Sequence, residues 1–264
     1  MSETPEAPLD RDADAQRGIV RERYAGIASE GGSCCGDDGA AELRGYDAED
    51  VASVADGANL NLGCGNPGAL ADLDAGETVL DLGSGAGFDC FLAGQEVGDA
   101  GTVIGVDMTP EMVERARENV ERNDAGNVEF RLGEIEHLPV ADGVVDVVIS
   151  NCVVNLSPAK EQVFAEAYRV LRPGGRLAIS DVVLTADLPA AVREDPESLA
   201  ACVSGASTVP ALERMLSAAG FVDVSVSPKA DSAAVISEWD ESRDLSDYVR
   251  SAAIEGRKPA PADG

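Results

Sequence analysis

TVLDLGSGAGFDCF, residues Thr78 to Phe91, begins as an apolar strand, breaks into glycines at every second position (Gly83, Gly85 and Gly87), and then enters a helix. Val79 and Leu80 have the character of a buried parallel strand. The glycines let the backbone turn tightly and pass close to a ligand. A dinucleotide-binding turn places its third glycine three residues after its second, so that a pyrophosphate rests on a helix N-terminus. Here that position is Phe88, and the dinucleotide pattern fails. Asp81 stands two residues before the first glycine, at the strand end. A carboxylate there repels phosphates but attracts an amino group or a sulfonium. The stretch, with Ser84 inside its turn, predicts a loop for a cationic nucleoside cofactor.

Outward from this loop, apolar strands and amphipathic helices alternate: strand TVIGVD, helix 110–123, strand VEFRLG, strand VVDVVIS, helix AKEQVFAEAYRVL, turn RPGG, strand RLAISDVVL, helix ALERMLSAAG and strand FVDVSVS. This spacing predicts an α/β fold with a doubly wound, mostly parallel sheet. SAAVISEW is expected to add the last strand, and 186–207 reads as a linker-like region. Residues 1–15 are charged and alanine-rich and are expected to be a disordered acidic tail. Residues 16–75 are expected to hold helices and cysteine loops, among them a helix at 16–28 and one capped by Asp47. Residues 76–264 are expected to form the cofactor-binding domain.

In such sheets the ligand lies at the carboxyl ends of the strands, where strand order reverses. Asp107 ends the second strand, twenty residues beyond Gly87, where an acidic side chain takes ribose hydroxyls. Thr109, rather than Asp107, is the expected cap of the following helix. Met108 suits the face of an adenine. Glu134 and Ile135, after the third strand, are expected to offer a side-chain acceptor and a backbone N–H to the adenine edge. Asn151 and Cys152, after the fourth, face the reacting end. With LRPGG added, the order of elements resembles the class I S-adenosylmethionine-dependent methyltransferases. That resemblance implies S-adenosylmethionine as cofactor and a seven-stranded Rossmann-like methyltransferase sheet. The Asn-Pro-Pro-aromatic loop of enzymes that methylate nucleic-acid amino groups is replaced by Asn151, Cys152, Val153 and Val154.

Charge narrows the partners. The 264 residues carry 49 acidic against 20 basic side chains, a net −29, with lysine only at 160, 229 and 258. Acidic residues spread along the whole length read as a halophilic surface, solvated at high salt. There is no basic stripe to neutralise phosphates, which argues against nucleic acid as a partner. No segment approaches the ~20 apolar residues of a membrane span, and the acidic N-terminus does not read as a signal sequence. A soluble, cytoplasmic protein is expected.

Six cysteines in such a chain read as thiols held for metal, metalloid or redox chemistry rather than as a disulfide framework. Cys152 and Cys202 follow strand ends beside the expected methyl group, and Cys64 lies in a glycine loop able to fold over them. Cys90, inside the first helix, reads as a small buried hydrophobe. Zinc would want paired cysteines at short spacing, which are absent, and a disulfide relay remains open for Cys34 and Cys35. Three scattered thiols suit a soft trivalent centre. Arsenic(III) held by three sulfurs keeps a lone pair able to take a methyl group without a general base, in keeping with a chain whose one histidine, His137, reads as structural. A small organic acceptor, quinone- or sterol-like, and a non-catalytic metalloid sensor are the alternatives.

GGSCCG, LGCGNP, VLDLGSGAGFDCF, SNCVVNLSP, the loop around Cys202 and SDYVRSAAIEGRKP together resemble the arsenite S-adenosylmethionine methyltransferases over nearly the whole chain. The resemblance implies that Cys64, Cys152 and Cys202 hold the metalloid, with the 186–207 loop part of that site. It implies that Cys34 or Cys35 serves substrate delivery or disulfide exchange, and that a thiol reductant of thioredoxin or glutathione type is a co-substrate. The chain is shorter at its C-terminus than many members, so their extra domain is not expected here.

Overall fold

The computed structural model describes residues 12–30, 40–195, 198–199, 202–230, 232, 236 and 245–260. Cys34 and Cys35 lie outside the described residues, and so does most of SAAVISEW. Five strands form the parallel part of the sheet: β1 (Thr78–Leu82), β2 (Thr102–Asp107), β3 (Val128–Leu132), β4 (Val145–Asn151) and β5 (Leu171–Leu184). Beyond β5 come β8 (Val249–Arg257) and then β7 (Val222–Pro228), with β8 antiparallel to both neighbours, giving the order β3-β2-β1-β4-β5-β8-β7. A two-residue strand, β6 (Ser207–Thr208), pairs with the end of β5.

The strand period of two sends alternate side chains to opposite faces. Leu80 and Leu82 of β1 join one apolar cluster, with Phe164 of α7 (Lys160–Val170) and Leu212 and Leu216 of α9 (Val209–Ala219). Val79 joins the other, with Phe91 of α5 (Phe88–Val97) and Val113 of α6 (Pro110–Arg122). Strand order reverses between β1 and β4, so a crevice opens at their carboxyl ends. The crevice is lined by α1 (Ala13–Glu30) and by residues 58–63, a stretch that lies between α3 (Ala48–Ser53) and α4 (Pro67–Ala71) and follows α2 (Ala40–Leu43) in the chain. Asp47 caps α3 in a reciprocal capping box with Asp50.

Four sequence expectations change. The helix expected at 16–28 extends over Ala13–Glu30, taking in the end of the expected tail. The LRPGG turn lies within β5, as an irregularity between the pairs Val145↔Leu171 and Val147↔Arg176. Ser232 and Ile236, the described residues of SAAVISEW, are in a turn and a helix, and the last strand is β8 instead. Finally, 186–207 is not a linker: Leu188, Val192, Cys202 and Val203 are buried in a third cluster around Cys64 and Cys152, and α8 (Ala190–Arg193) lies within it. Among the described residues, no helix is long and apolar enough to cross a membrane.

Candidate active site

The crevice holds an open cavity, about 1010 Å³ of space with the solvent at its mouth included. Its floor is the glycine turn. Gly83, Gly85 and Gly87 all have positive φ, and a side chain at Gly83 would collide with Val153. Asp107 pins the turn: its Oδ2 accepts from Gly85 N at 3.0 Å and its Oδ1 from Thr109 N at 2.8 Å. Thr109 stands at the N-cap of α6 but makes no capping bond with its side chain, so the local hydrogen bonding is done by Asp107. The Ser84 hydroxyl lines the cavity, buried and, among the described residues, without a partner. An unpaired buried hydroxyl beside an acidic, glycine-lined turn fits a polar nucleoside ligand, because such a group is costly to leave unsatisfied.

The cavity is acidic at one end. Burial, then the neighbouring carboxylates Asp89 and Asp107, hold Asp81 well above the usual carboxylate range. Burial lifts Asp89 to about 6, although hydrogen bonds from Tyr46 and Asn151 pull the other way. Burial raises Asp107 as well. Three carboxyls crowded in one desolvated cavity favour a cation entering it. Tyr46 Oη donates to Asp89 Oδ1 at 2.5 Å, and the Asn151 amide donates to Tyr46 Oη and Asp89 Oδ2.

Asn151 also joins this end to the cysteines. Its Oδ1 accepts from Cys64 N at 2.9 Å and its Nδ2 donates to Gly65 O at 2.7 Å. The crowding allows only glycine beside it: a side chain at Gly63 would meet the Asn151 amide, and one at Gly65 the Ser180 hydroxyl. Cys64 and Cys152 are joined by a disulfide, with Cα atoms 6.0 Å apart, and Cys152 lines the cavity. Cys202, buried in the same cluster, donates its thiol to the Cys152 carbonyl oxygen at 2.6 Å. Both Cys152 and Cys202 adopt left-handed backbone, φ 56° and 65°, a conformation costing non-glycine residues roughly 1–3 kcal/mol and concentrated at functional sites. The sulfurs of Cys64 and Cys152 and a carboxylate oxygen of Asp181 lie within 4.8 Å of one another; Cys202 is not in that group.

The chain of residues 73–220 matches the family model for a methyltransferase domain. Over 96% of its length it is 63% identical to the arsenite methyltransferase of Halobacterium salinarum, of which it covers 69%. The chain belongs to the arsenite methyltransferase family. The human arsenite methyltransferase is 44% identical over 48% of this chain, which spans 36% of that protein. The crystal structure of an arsenic(III) S-adenosylmethionine methyltransferase from Chlamydomonas reinhardtii superposes with a TM-score of 0.60 at 35% identity, covering 85% of this chain and 74% of that one. Membership makes this a class I S-adenosylmethionine-dependent methyltransferase fold, and the charge of −29 suits a surface adapted to high salt.

Within this arsenite methyltransferase frame, the remaining expected residues divide. Met108 and Ile135 line the cavity. Glu134 is not among the lining residues; it is drawn into ion pairs with Arg17 at 3.4 Å and Arg21 at 3.7 Å, both from α1. Glu136 takes the cavity-lining place, accepting from Ser157 Oγ at 2.7 Å. Gly87 also stays out of the lining, because its bare face is filled by Phe130 and Phe91. Cys90 is fully buried, donates to Asp81 Oδ2 at 3.3 Å, and has its thiol pushed up by burial and by Asp81. The residues missed from the sequence are Tyr46, Asp89, Glu136 and, beside the cysteines, Asp181, which is 1% exposed, lifted to about 6 by burial and held by hydrogen bonds from Asn155 and Val182.

Proposed function

We propose that this chain transfers the methyl group of S-adenosylmethionine to trivalent arsenic held by the thiolates of Cys64, Cys152 and Cys202. One observation carries the reading: three cysteines from distant segments converge in one buried cluster at the wall of an acidic cofactor cavity. Asp81, Ser84, Gly85, Asp107, Met108 and Ile135 would hold the cofactor, which supplies an electrophilic methyl group on a sulfonium. Asp89, lifted to about 6, places negative charge where that cation binds, and an entering sulfonium favours the ionised form of the neighbouring Asp81. Arsenite, free or as a thiol conjugate, exchanges its oxygen or thiol ligands for the three cysteines, each thiol proton leaving with the displaced group. Arsenic bound by three sulfurs keeps its lone pair, so no general base is needed, and the protein contributes position and dry surroundings.

The disulfide between Cys64 and Cys152 has to take up two electrons and two protons before both sulfurs can bind. A thiol reductant, one thioredoxin-type dithiol or two molecules of a glutathione-type monothiol, is the proposed source and leaves as its own disulfide, with Cys34 or Cys35 as relay. The test is methyl transfer by purified protein in high salt with arsenite, S-adenosylmethionine and a thiol. Wild type is expected to yield methylated arsenic, and Cys152→Ser none, with cofactor binding retained. Full activity in Cys152→Ser would refute the site.

A further inference from the structure

The group of donor atoms that the structure holds together is not the three-cysteine set. Among the described residues, the sulfurs of Cys64 and Cys152 and one oxygen of Asp181, all buried, lie within 4.8 Å of one another, and the Cys202 sulfur falls outside. Asp181 is fixed for this position. Its Oδ1 accepts from Asn155 Nδ2 at 2.8 Å and from Val182 N at 2.7 Å, and its Oδ2 from Asn155 N at 3.2 Å. A trivalent arsenic with three sulfurs and a lone pair has no use for a carboxylate. A tetrahedral borderline cation has: around such an ion two sulfurs stand about 3.8 Å apart and a sulfur and an oxygen about 3.6 Å, given metal–ligand distances near 2.3 and 2.1 Å, so once the disulfide opens the two sulfurs have to part while the carboxylate oxygen, already within 4.8 Å of both, stays in reach.

We propose that in the reduced protein Cys64, Cys152 and Asp181 form a site for a thiophilic divalent cation of the zinc or cadmium class. Two thiolates and a carboxylate around a divalent ion leave one negative charge in the cluster; Lys160 lies nearby, its charged form disfavoured by burial but favoured by Asp181 and Cys202, so added negative charge there draws it toward the ammonium that offsets it. Binding releases the two thiol protons to solvent. The cation and the metalloid then share Cys64 and Cys152 and exclude each other; Asp181 serves the first, Cys202 the second. The inference rests on the proposed arsenite site only through this shared pair.

Cadmium is the probe. The disulfide of the full chain is opened with a phosphine, which takes up oxygen from water as the two thiols form, and the protein is titrated with a cadmium salt in chloride-free buffer. One ion per chain is expected from the thiolate-to-cadmium ultraviolet absorption, and cadmium-edge X-ray absorption of the wild-type complex should show oxygen together with sulfur neighbours. Asp181→Asn is expected to weaken cadmium binding by about tenfold or more, whereas Cys202→Ser retains it and weakens arsenite binding. Sulfur-only coordination in wild type, or unchanged cadmium affinity in Asp181→Asn, overturns the proposal. Undiminished arsenite binding in Cys202→Ser, with cadmium bound as expected, counts against the arsenite site alone and leaves the cation site standing.

Discussion

The two halves of the site are built differently. The cofactor half sits on the carboxyl ends of regular parallel strands, with Asp81 near the end of β1 and Asp107, twenty-six residues on, closing β2 and pinned to the glycine turn. The cysteine half comes from irregular backbone. Cys64 lies in a glycine loop before β1, Cys152 just past β4, and Cys202 in the packed segment after β5, the last two in left-handed conformation. The difference teaches where each kind of binding is stored. A nucleoside is recognised by a rigid edge that many sequences can supply. A soft centre needs thiols aimed from several directions, which loops positioned by that edge provide. Asn151 ties the halves together, with Asp89 and Tyr46 on one side and the Cys64 loop on the other.

Mutations can split the halves. Asp107→Ala should weaken cofactor binding by about 1–3 kcal/mol, since hydrogen bonds to a charged acceptor are lost, while leaving arsenite protection of the cysteines in place. Isothermal titration with S-adenosylmethionine, paired with thiol alkylation, measures both. Unchanged cofactor affinity would remove Asp107 from the site, and lost protection would show the halves to be one unit.

A smaller effect comes from pH. Burial lifts Asp89 to about 6, so its negative charge is present above that value and lost below it. S-adenosylmethionine affinity is therefore expected to fall as pH drops through about 6, by a few-fold per lost charge at cavity distances. S-adenosylhomocysteine, which lacks the sulfonium charge, should fall less. The same raised pKa acts on folding with the opposite sign: in the empty protein its contribution is fully present below the unfolded carboxyl value near 4 and is lost as pH rises through about 6. Parallel pH slopes for the two ligands would contradict the electrostatic role.

Much of this was legible in the chain. The glycine turn and Asp107 are local patterns whose place at the cavity follows from spacing, and the alternation of strands and helices predicts the sheet. Longer-range features were not. Asp181 stands in the apolar run AISDVVL and reads as an ordinary strand residue; only the pairing of β4 with β5, Asn151 opposite Ser180, brings it beside Cys152. Glu134 reads as a cofactor acceptor until α1 supplies two arginines for it. The last strand was misplaced because VRSAAIEGR is rich in small and charged residues of low strand propensity. Its small residues are what fit a strand packed between β5 and β7, with Ser251 and Ala252 buried.

The central claim is that three cysteines hold the metalloid together. The reduced protein, alkylated with and without arsenite and mapped by mass spectrometry, tests it most directly. The account predicts that arsenite protects Cys64, Cys152 and Cys202 to the same extent and at the same concentration, with Cys90 unaffected. Protection of fewer than all three, or of none, would contradict it.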